Sequence, residues 1–362
     1  MSDTFHKFLF LGVMITLVVF ANHGTVAEQR SLNLTYGVNG GKVVAKAPPT
    51  FVLQPPGTTA FGDLAADVTA NDLTKAATST PATSSTLYDP NPSVPPTPFQ
   101  NALLESSGDS SQSVFSKRGD EPVPNLAARI ALLVDLTSGR QYVNFNAGSN
   151  WPLASLTKLM TAVTAFQELD LDRKATITVG AFATDTSDQI LKIGNVYGIT
   201  DLLRIMLLPS SNVGAEAIAE SYGREQFIAA MNAQAQNWGM VNTHFDDPAG
   251  ISVGSRSTGN DLLVLTKKIY EEYPRVFATT RVPSAYVAEL TSQKRVLVKN
   301  INDFAGRADF LGGKTGHTDE ASGNLLSVFS YGRKPVVIIV MGTEDRFGDT
   351  TKLLNWFEAN YK

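Results

Sequence analysis

Hydrophobic positions are spread unevenly along these 362 residues. Residues 8–21 form an uncharged, mostly apolar run behind His6 and Lys7. From about residue 45 to 122 no amphipathic period exists; Pro, Ser, Thr, Ala and Asp dominate, as in Ser79-Thr80-Pro81-Ala82 and Asp89-Pro90-Asn91-Pro92. Periodic apolar positions begin after Asn125. Residues 127–136 read as a strand, residues 137–140 as a turn and residues 141–146 as the returning arm of a hairpin. Leu156, Leu159, Met160, Val163 and Phe166 fall at helical spacing. Thr200 is placed to cap a second helix through Leu202, Leu203, Met206 and Leu207, which Pro209 ends. Residues 215–221 predict a third helix, just after Asn212. Residues 310–318 read as a strand of unusual glycine density. Residues 325–331 and 335–341 are apolar strands around the turn Gly332-Arg333-Lys334, and residues 349–361 close as a helix carrying Leu353, Leu354, Trp356 and Phe357. Strands, then helices, then strands predict an α+β fold: an antiparallel sheet flanked by helices.

The same pattern divides the chain. Residues 1–27 read as a signal peptide or an N-terminal membrane anchor. The apolar run suits a signal-peptide core better than a full span, which needs about 20 apolar residues. Thr25-Val26-Ala27 offers a small-residue cleavage site. Residues 28–123 read as a Pro/Ser/Thr-rich disordered linker, because such a composition cannot bury enough apolar surface to offset chain entropy. It would serve as a tether or wall-spanning spacer. Residues 124–362 read as the globular domain, and all three tryptophans lie at or after position 151. This layout places the domain outside the cytoplasm, secreted or held at the membrane by its N-terminus.

Charge and composition remove several functions. A net charge of -4 with no basic stripe argues against a nucleic-acid partner. The absence of cysteine excludes a thiol nucleophile, a zinc–thiolate site and a disulfide framework. A Ser-His-Asp triad would have to use His244 or His317, since His6 and His23 lie in or near the N-terminal apolar segment.

Three short motifs follow in order: Ser155-Leu156-Thr157-Lys158, Ser210-Ser211-Asn212 and Lys314-Thr315-Gly316. Each alone has an ordinary reading: an exposed helix pair, turn chemistry, a glycine-rich bulge. Together they offer an activatable nucleophile, a second hydroxyl with an amide, and a cation beside a hydroxyl. Ser155 and Lys158 lie three apart on one helical face. A serine hydroxyl needs a base, and a lysine serves only when partly neutral, which burial and a second cation promote. Lys314 is a candidate for that second cation. Ser210 and Asn212 sit in a break between helices, a platform for a proton shuttle and an amide clamp. Glycines around Lys314 allow close backbone approach, so an extended peptide could pair along this edge with Lys314 and Thr315 facing its carboxylate.

Motifs in this order mark penicillin-binding proteins and, with aspartate in the middle motif, class A β-lactamases. From about residue 127 to 356 the chain resembles the low-molecular-mass penicillin-binding proteins, the D-alanyl-D-alanine carboxypeptidases of peptidase family S11. Trp151-Pro152-Leu153-Ala154-Ser155 through Ala162 looks like their nucleophile helix, and Leu207-Leu208-Pro209-Ser210-Ser211-Asn212 like their middle motif. Lys314 through Ala321, with Asn324-Leu325, looks like their third motif, and Phe245-Asp246-Asp247-Pro248-Ala249-Gly250 like a turn of the family.

The resemblance implies the serine β-lactamase/D,D-peptidase fold and a set of roles. Ser155 attacks the carbonyl between two D-alanines; Lys158 takes its proton and later activates water. Ser210 relays a proton to the leaving amine, and Asn212 holds the substrate amide. Lys314 supplies positive potential, Thr315 binds the terminal carboxylate, and Arg346 assists it. Gly316 belongs to the third motif, and the backbone N–H groups of Ser155 and His317 form the oxyanion hole. The substrate implied is a peptidoglycan pentapeptide or crosslinked peptide, with β-lactams as covalent inhibitors and no metal or organic cofactor.

The chain closes soon after its last helix, without the second β-rich domain and C-terminal anchor that many members carry. A D,D-endopeptidase cutting crosslinks is therefore the alternative enzyme, and an inactive tethered wall-binding or penicillin-sensing module the alternative of another class. A class A β-lactamase is disfavoured, because no Glu-x-x-Leu-Asn pattern lies between Asn212 and Lys314.

Overall fold

The computed structural model describes residues 115–362; the segment read as signal or anchor, and the linker up to residue 114, lie outside the described residues. Five antiparallel strands form the sheet: β1 (Ile130–Asp135), β2 (Gln141–Phe145), β3 (Phe310–Thr318), β4 (Ser322–Tyr331) and β5 (Lys334–Thr343), in the order β2-β1-β5-β4-β3. Leu132 pairs Ile339 and Leu326 pairs Lys314. The α+β class read from the sequence is the one observed.

Strands β1 and β5 are buried along nearly their whole length because both faces of the sheet are covered. Alternation then sends neighbouring residues into different cores. Leu132, Val134, Leu326 and Ile339 pack with the helices of one face. Leu133, Phe329, Ile338 and Val340 pack with Leu353 and Phe357 of the C-terminal helix on the other. The helices are α1 (Lys158–Glu168), α2 (Val179–Ala183), α3 (Ile199–Leu207), α4 (Asn212–Tyr222), α5 (Arg224–Asn237), α6 (Gly259–Glu272), α7 (Pro274–Thr280) and α8 (Arg346–Asn360). No helix among the described residues is long and apolar enough to cross a membrane.

Four local expectations are corrected. Ser155 lies in a 3-10 turn, Ala154–Thr157, that precedes α1 and is not part of its α-helical body. Thr200 does not cap α3: Gly198, in extended conformation at the end of the short ribbon strand Val196–Gly198, takes the cap position, and the Thr200 hydroxyl donates to Leu171 O at 3.3 Å. Helix α4 starts at Asn212, three residues earlier than its apolar period suggests, because the Ser211 hydroxyl accepts from Gly214 N at 2.9 Å. Finally, residues 115–123, assigned by composition to the linker, are anchored on the C-terminal helix through Phe115 and backbone hydrogen bonds, although most of their side chains stay exposed. Phe115 is buried with its ring 5.2 Å from that of Phe357, Ser116 N donates to Lys362 O at 2.9 Å, and Trp356 Nε1 donates to Glu121 O at 2.8 Å. One aromatic anchor and a short backbone ladder hold this segment, and an average over composition does not register them.

Candidate active site

The turn carrying Ser155 is held from two sides. Ala154 adopts φ +48°, and Gly250, at φ +78°, lies so close beneath it that a Cβ there would fall 1.9 Å from Ala154 O. Gly250 is placed by Asp247, whose carboxylate accepts from the backbone N–H groups of Ala249, Gly250, Ile251 and Ser252 at 2.6–3.2 Å. From the sheet, the buried Asn324 side chain donates to Pro152 O (2.9 Å) and Leu153 O (3.1 Å) and accepts from Gly342 N (3.0 Å). The Ser155 turn is thereby tied to β4 and β5 by a side chain whose polar groups are all used.

Lys158 opens α1 directly after this turn and is fully buried. Its Nζ donates to Ser155 Oγ at 2.7 Å, to Asn212 Oδ1 at 2.7 Å and to Ala249 O at 2.9 Å. Among the described residues, no carboxylate lies within ion-pair distance of it. Burial pulls its pKa down to about 7, against a smaller upward pull from Asp247 and Asp185. A neutral fraction of the amine is therefore present near pH 7, in contact with a hydroxyl it can deprotonate.

Lys314 lies on β3, also buried, with Nζ donating to Ser210 Oγ (2.8 Å) and Thr315 O (2.9 Å). Burial lowers its pKa well below the usual lysine range, and the like charges of Lys158 and Arg346 lower it further. Burial is the largest cause at both amines, and the repulsion between Lys158 and Lys314 is mutual, so each lowers the proton affinity of the other.

Ser210 has φ +65°, a conformation costly for a residue with a Cβ. It aims the hydroxyl at Lys314. The next residue, Ser211, is the anchor: its hydroxyl caps α4 and also donates to Asp188 Oδ2. Asn212 in the first turn of α4 offers its oxygen to Lys158, and its Nδ2 lies 3.5 Å from Asp185 Oδ2.

Strand β3 is the edge of the sheet, so no further strand covers its outer side among the described residues and an extended ligand could pair there. Gly312 and Gly313 let it pack closely against α7 and β4; a Cβ would meet Phe277 Cβ at 2.6 Å and Leu326 O at 2.2 Å respectively. Gly316 makes the decisive approach, since a Cβ there would lie 3.3 Å from Ser155 N and 2.9 Å from Leu153 O. The end of β3 that leads into His317 is thus brought beside the Ser155 amide. The His317 side chain is exposed, with Nδ1 3.2 Å from Ser322 O.

Arg346 opens α8, with its side chain over Gly323, the β4 residue paired with His317. Its Nε is buried without a hydrogen-bond partner. His244 stands apart, exposed, with Nε2 3.0 Å from Asp246 Oδ1. The structure therefore brings Ser155, Lys158, Ser210, Asn212, Lys314, Thr315 and Gly316 together, with Arg346 close enough to act on Lys314 electrostatically. Asp247 and Asn324 lie in stretches that carry the family resemblance but were given no role there, and Asp188 was not singled out; all three act on the site through backbone groups or a hydroxyl, which spacing does not reveal. Among the described residues, no group of His, Asp and Glu side chains could hold a metal ion.

Residues 117–345 match the D-alanyl-D-alanine carboxypeptidase family, peptidase S11. A D-alanyl-D-alanine endopeptidase of Pseudomonas aeruginosa is 30% identical over 247 residues, covering 65% of this chain and 78% of that one. Among solved structures, a D-alanyl-D-alanine carboxypeptidase from Mycobacterium tuberculosis H37Rv superimposes with a TM-score of 0.61 at 27% identity, covering 67% of this chain and 95% of that one. Penicillin-binding protein D2 from Listeria monocytogenes, in its ampicillin-bound form, gives 0.56 at 30% identity, covering 65% and 98%.

Proposed function

Because the chain belongs to the D-alanyl-D-alanine carboxypeptidase family, peptidase S11, we propose that it removes the terminal D-alanine from peptidoglycan stem peptides through an acyl-serine intermediate. The observation that carries this reading is the 2.7 Å contact between Lys158 Nζ and Ser155 Oγ, with the amine buried and, among the described residues, unpaired by any carboxylate.

Ser155 Oγ attacks the carbonyl carbon of the bond between the two D-alanines, and its proton passes to Lys158 Nζ. The carbonyl oxygen becomes an oxyanion that receives the N–H groups of Ser155 and His317; one such donor is typically worth about 3 kcal/mol. Collapse breaks the C–N bond. The D-alanine amine leaves with a proton delivered through Ser210, with Lys158 as net donor. Lys158 then takes a proton from water, whose oxygen attacks the acyl carbon; the Oγ–C bond breaks, Lys158 returns the proton to Ser155 Oγ, and the shortened peptide leaves. Asn212 donates through Nδ2 to the substrate amide, since its oxygen is engaged by Lys158. Lys314, Thr315 and Arg346 form a cationic corner for the terminal carboxylate. β-Lactams would acylate the same serine.

The cationic corner favours a substrate with a free carboxylate beside the leaving amine, as the terminal D-alanine has. The likeness to an endopeptidase keeps a second reading in place, hydrolysis of crosslinks by the same residues. Both place the enzyme outside the cytoplasm, tethered or exported through residues 1–27. The test is to offer the full chain a monomeric pentapeptide and a crosslinked dimer side by side. Release of D-alanine from the monomer as the faster reaction supports the carboxypeptidase; cleavage of the dimer alone sinks it. A penicillin adduct mapped to any residue other than Ser155 would remove the mechanism itself.

A further inference from the structure

A groove with a volume of about 560 Å³ lies between α3, α7, the C-terminal end of α1 and the ribbon Ser284–Ala288/Arg295–Lys299. None of its lining residues belongs to the catalytic cluster. Its walls are partly apolar, through Phe166, Leu203 and Val282, and it carries three guanidinium groups, from Arg204, Arg275 and Arg295.

The three arginines differ in what already occupies them. Arg204 is paired with Asp201 at 2.6 Å, and the other oxygen of Asp201 accepts from Ala288 N at 3.0 Å. The nearby carboxylate is thereby spent. Arg275 lies over the Phe166 ring at 5.1 Å and Arg295 over the Tyr286 ring at 5.0 Å. No ion pair to either exists among the described residues. Stacking fixes the plane of a guanidinium while leaving its edge donors free. Two pre-oriented forks over an apolar floor fit a planar anion attached to a compact chain, and a carboxylate accepts such a fork with both oxygens.

We propose that this groove is a second, non-catalytic binding site that holds the carboxylate end of a neighbouring stem peptide through Arg275 and Arg295. The inference rests on the function proposed above. That function supplies the ligand, because the substrate is a polymer whose peptides end in carboxylates both before and after D-alanine is removed. Placement agrees with it. Lys158 opens α1 and Phe166 lies in its last turn, about 12 Å further along the axis. Helix α7, which carries Arg275, also supports β3, since the Thr280 hydroxyl accepts from Gly313 N at 3.0 Å. One peptide in the groove would hold the polymer beside the cleft while another is cut.

The test uses the full chain acylated with benzylpenicillin, so that the catalytic cleft is closed, titrated with a fluorescein-labelled tetrapeptide ending in a free D-alanine. The Arg275→Gln/Arg295→Gln variant binds about tenfold more weakly or worse, and the terminal carboxamide of the peptide shows the same loss on the unsubstituted protein. The acylation rate by benzylpenicillin stays unchanged in the variant, which reports an intact fold. Should the variant misfold, Ala278→Trp fills the groove from its exposed wall and lowers affinity by the same mechanism. Unchanged affinity in the folded variants overturns the proposal. So does stronger displacement of the peptide by inorganic pyrophosphate than by the unlabelled free acid, which would assign the groove to a phosphate-bearing ligand. Failure of the catalytic reading is distinct from these outcomes: the unsubstituted protein would take no penicillin, and the comparison of peptide affinities would still be read on the unacylated chains.

Discussion

Gly316 lies so close to Ser155 that a Cβ on it would stand 3.3 Å from the Ser155 nitrogen. The two backbones converge where the oxyanion is expected to form, and they can do so only because β3 carries no side chain at this point. Gly316→Ala must push β3 away from the turn, since its Cβ would also be 2.9 Å from Leu153 O. Acylation by penicillin is expected to slow by about 100-fold or more, the effect of losing one oxyanion donor, while the thermal midpoint moves little. Stopped-flow acylation kinetics and a melting curve check both halves.

Lys158 sets the pH dependence. Its pKa in the fold is about 7 against an ordinary 10.5, so acylation should rise with pH through an inflection near 7, as the neutral amine appears. Stability should follow with a definite sign. Between about 7 and 10.5 the unfolded chain binds a proton that the folded one excludes, so raising the pH across this window favours the folded state. Relative to Lys158→Met, the unsubstituted protein should gain on the order of a few kcal/mol between pH 7 and pH 10. Urea unfolding of both proteins at the two pH values measures it, and parallel curves would contradict the assignment.

Asn324 has a structural task that its position in the chain does not reveal. Replacing it with leucine leaves Pro152 O, Leu153 O and Gly342 N without their partner. Unsatisfied buried groups cost about 1–3 kcal/mol each, so Asn324→Leu should destabilise by about 3 kcal/mol. Acylation should slow as well, because the Ser155 turn loses its tie to the sheet. A variant that melts lower yet acylates at the normal rate would separate the two effects and refute the positional role.

Arg346 should act on the leaving side of the substrate. Arg346→Gln is expected to raise KM for a free-acid pentapeptide about tenfold with a smaller effect on kcat. The same substitution should leave the terminal carboxamide peptide nearly unaffected. Equal losses on both peptides would remove Arg346 from carboxylate binding.

Much of the fold is legible in local sequence. Strand β3 runs over the residues its glycine-rich pattern predicts, and the hairpin of β1 and β2 turns at residues 137–140, because a two-residue period and turn-forming side chains act over a few positions. The start of α4 is less legible. Its apolar period begins at Ala215, but the helix begins at Asn212 because the Ser211 hydroxyl is held by Asp188, 23 residues earlier.

The sequence by itself determined the α+β class, the order of the three motifs and the residue types from which a nucleophile, a base and a carboxylate site could be built. Tertiary structure decided the rest. It put β3 at the sheet edge, docked residues 115–123 against α8, and buried the Lys158 and Lys314 amines away from any carboxylate of the described residues. The physical reason is that a proton's affinity for an amine depends on how much water and opposite charge surround it. Those surroundings are assembled from Asn212, Ala249, Ser210 and Thr315, segments that meet only when the chain is folded.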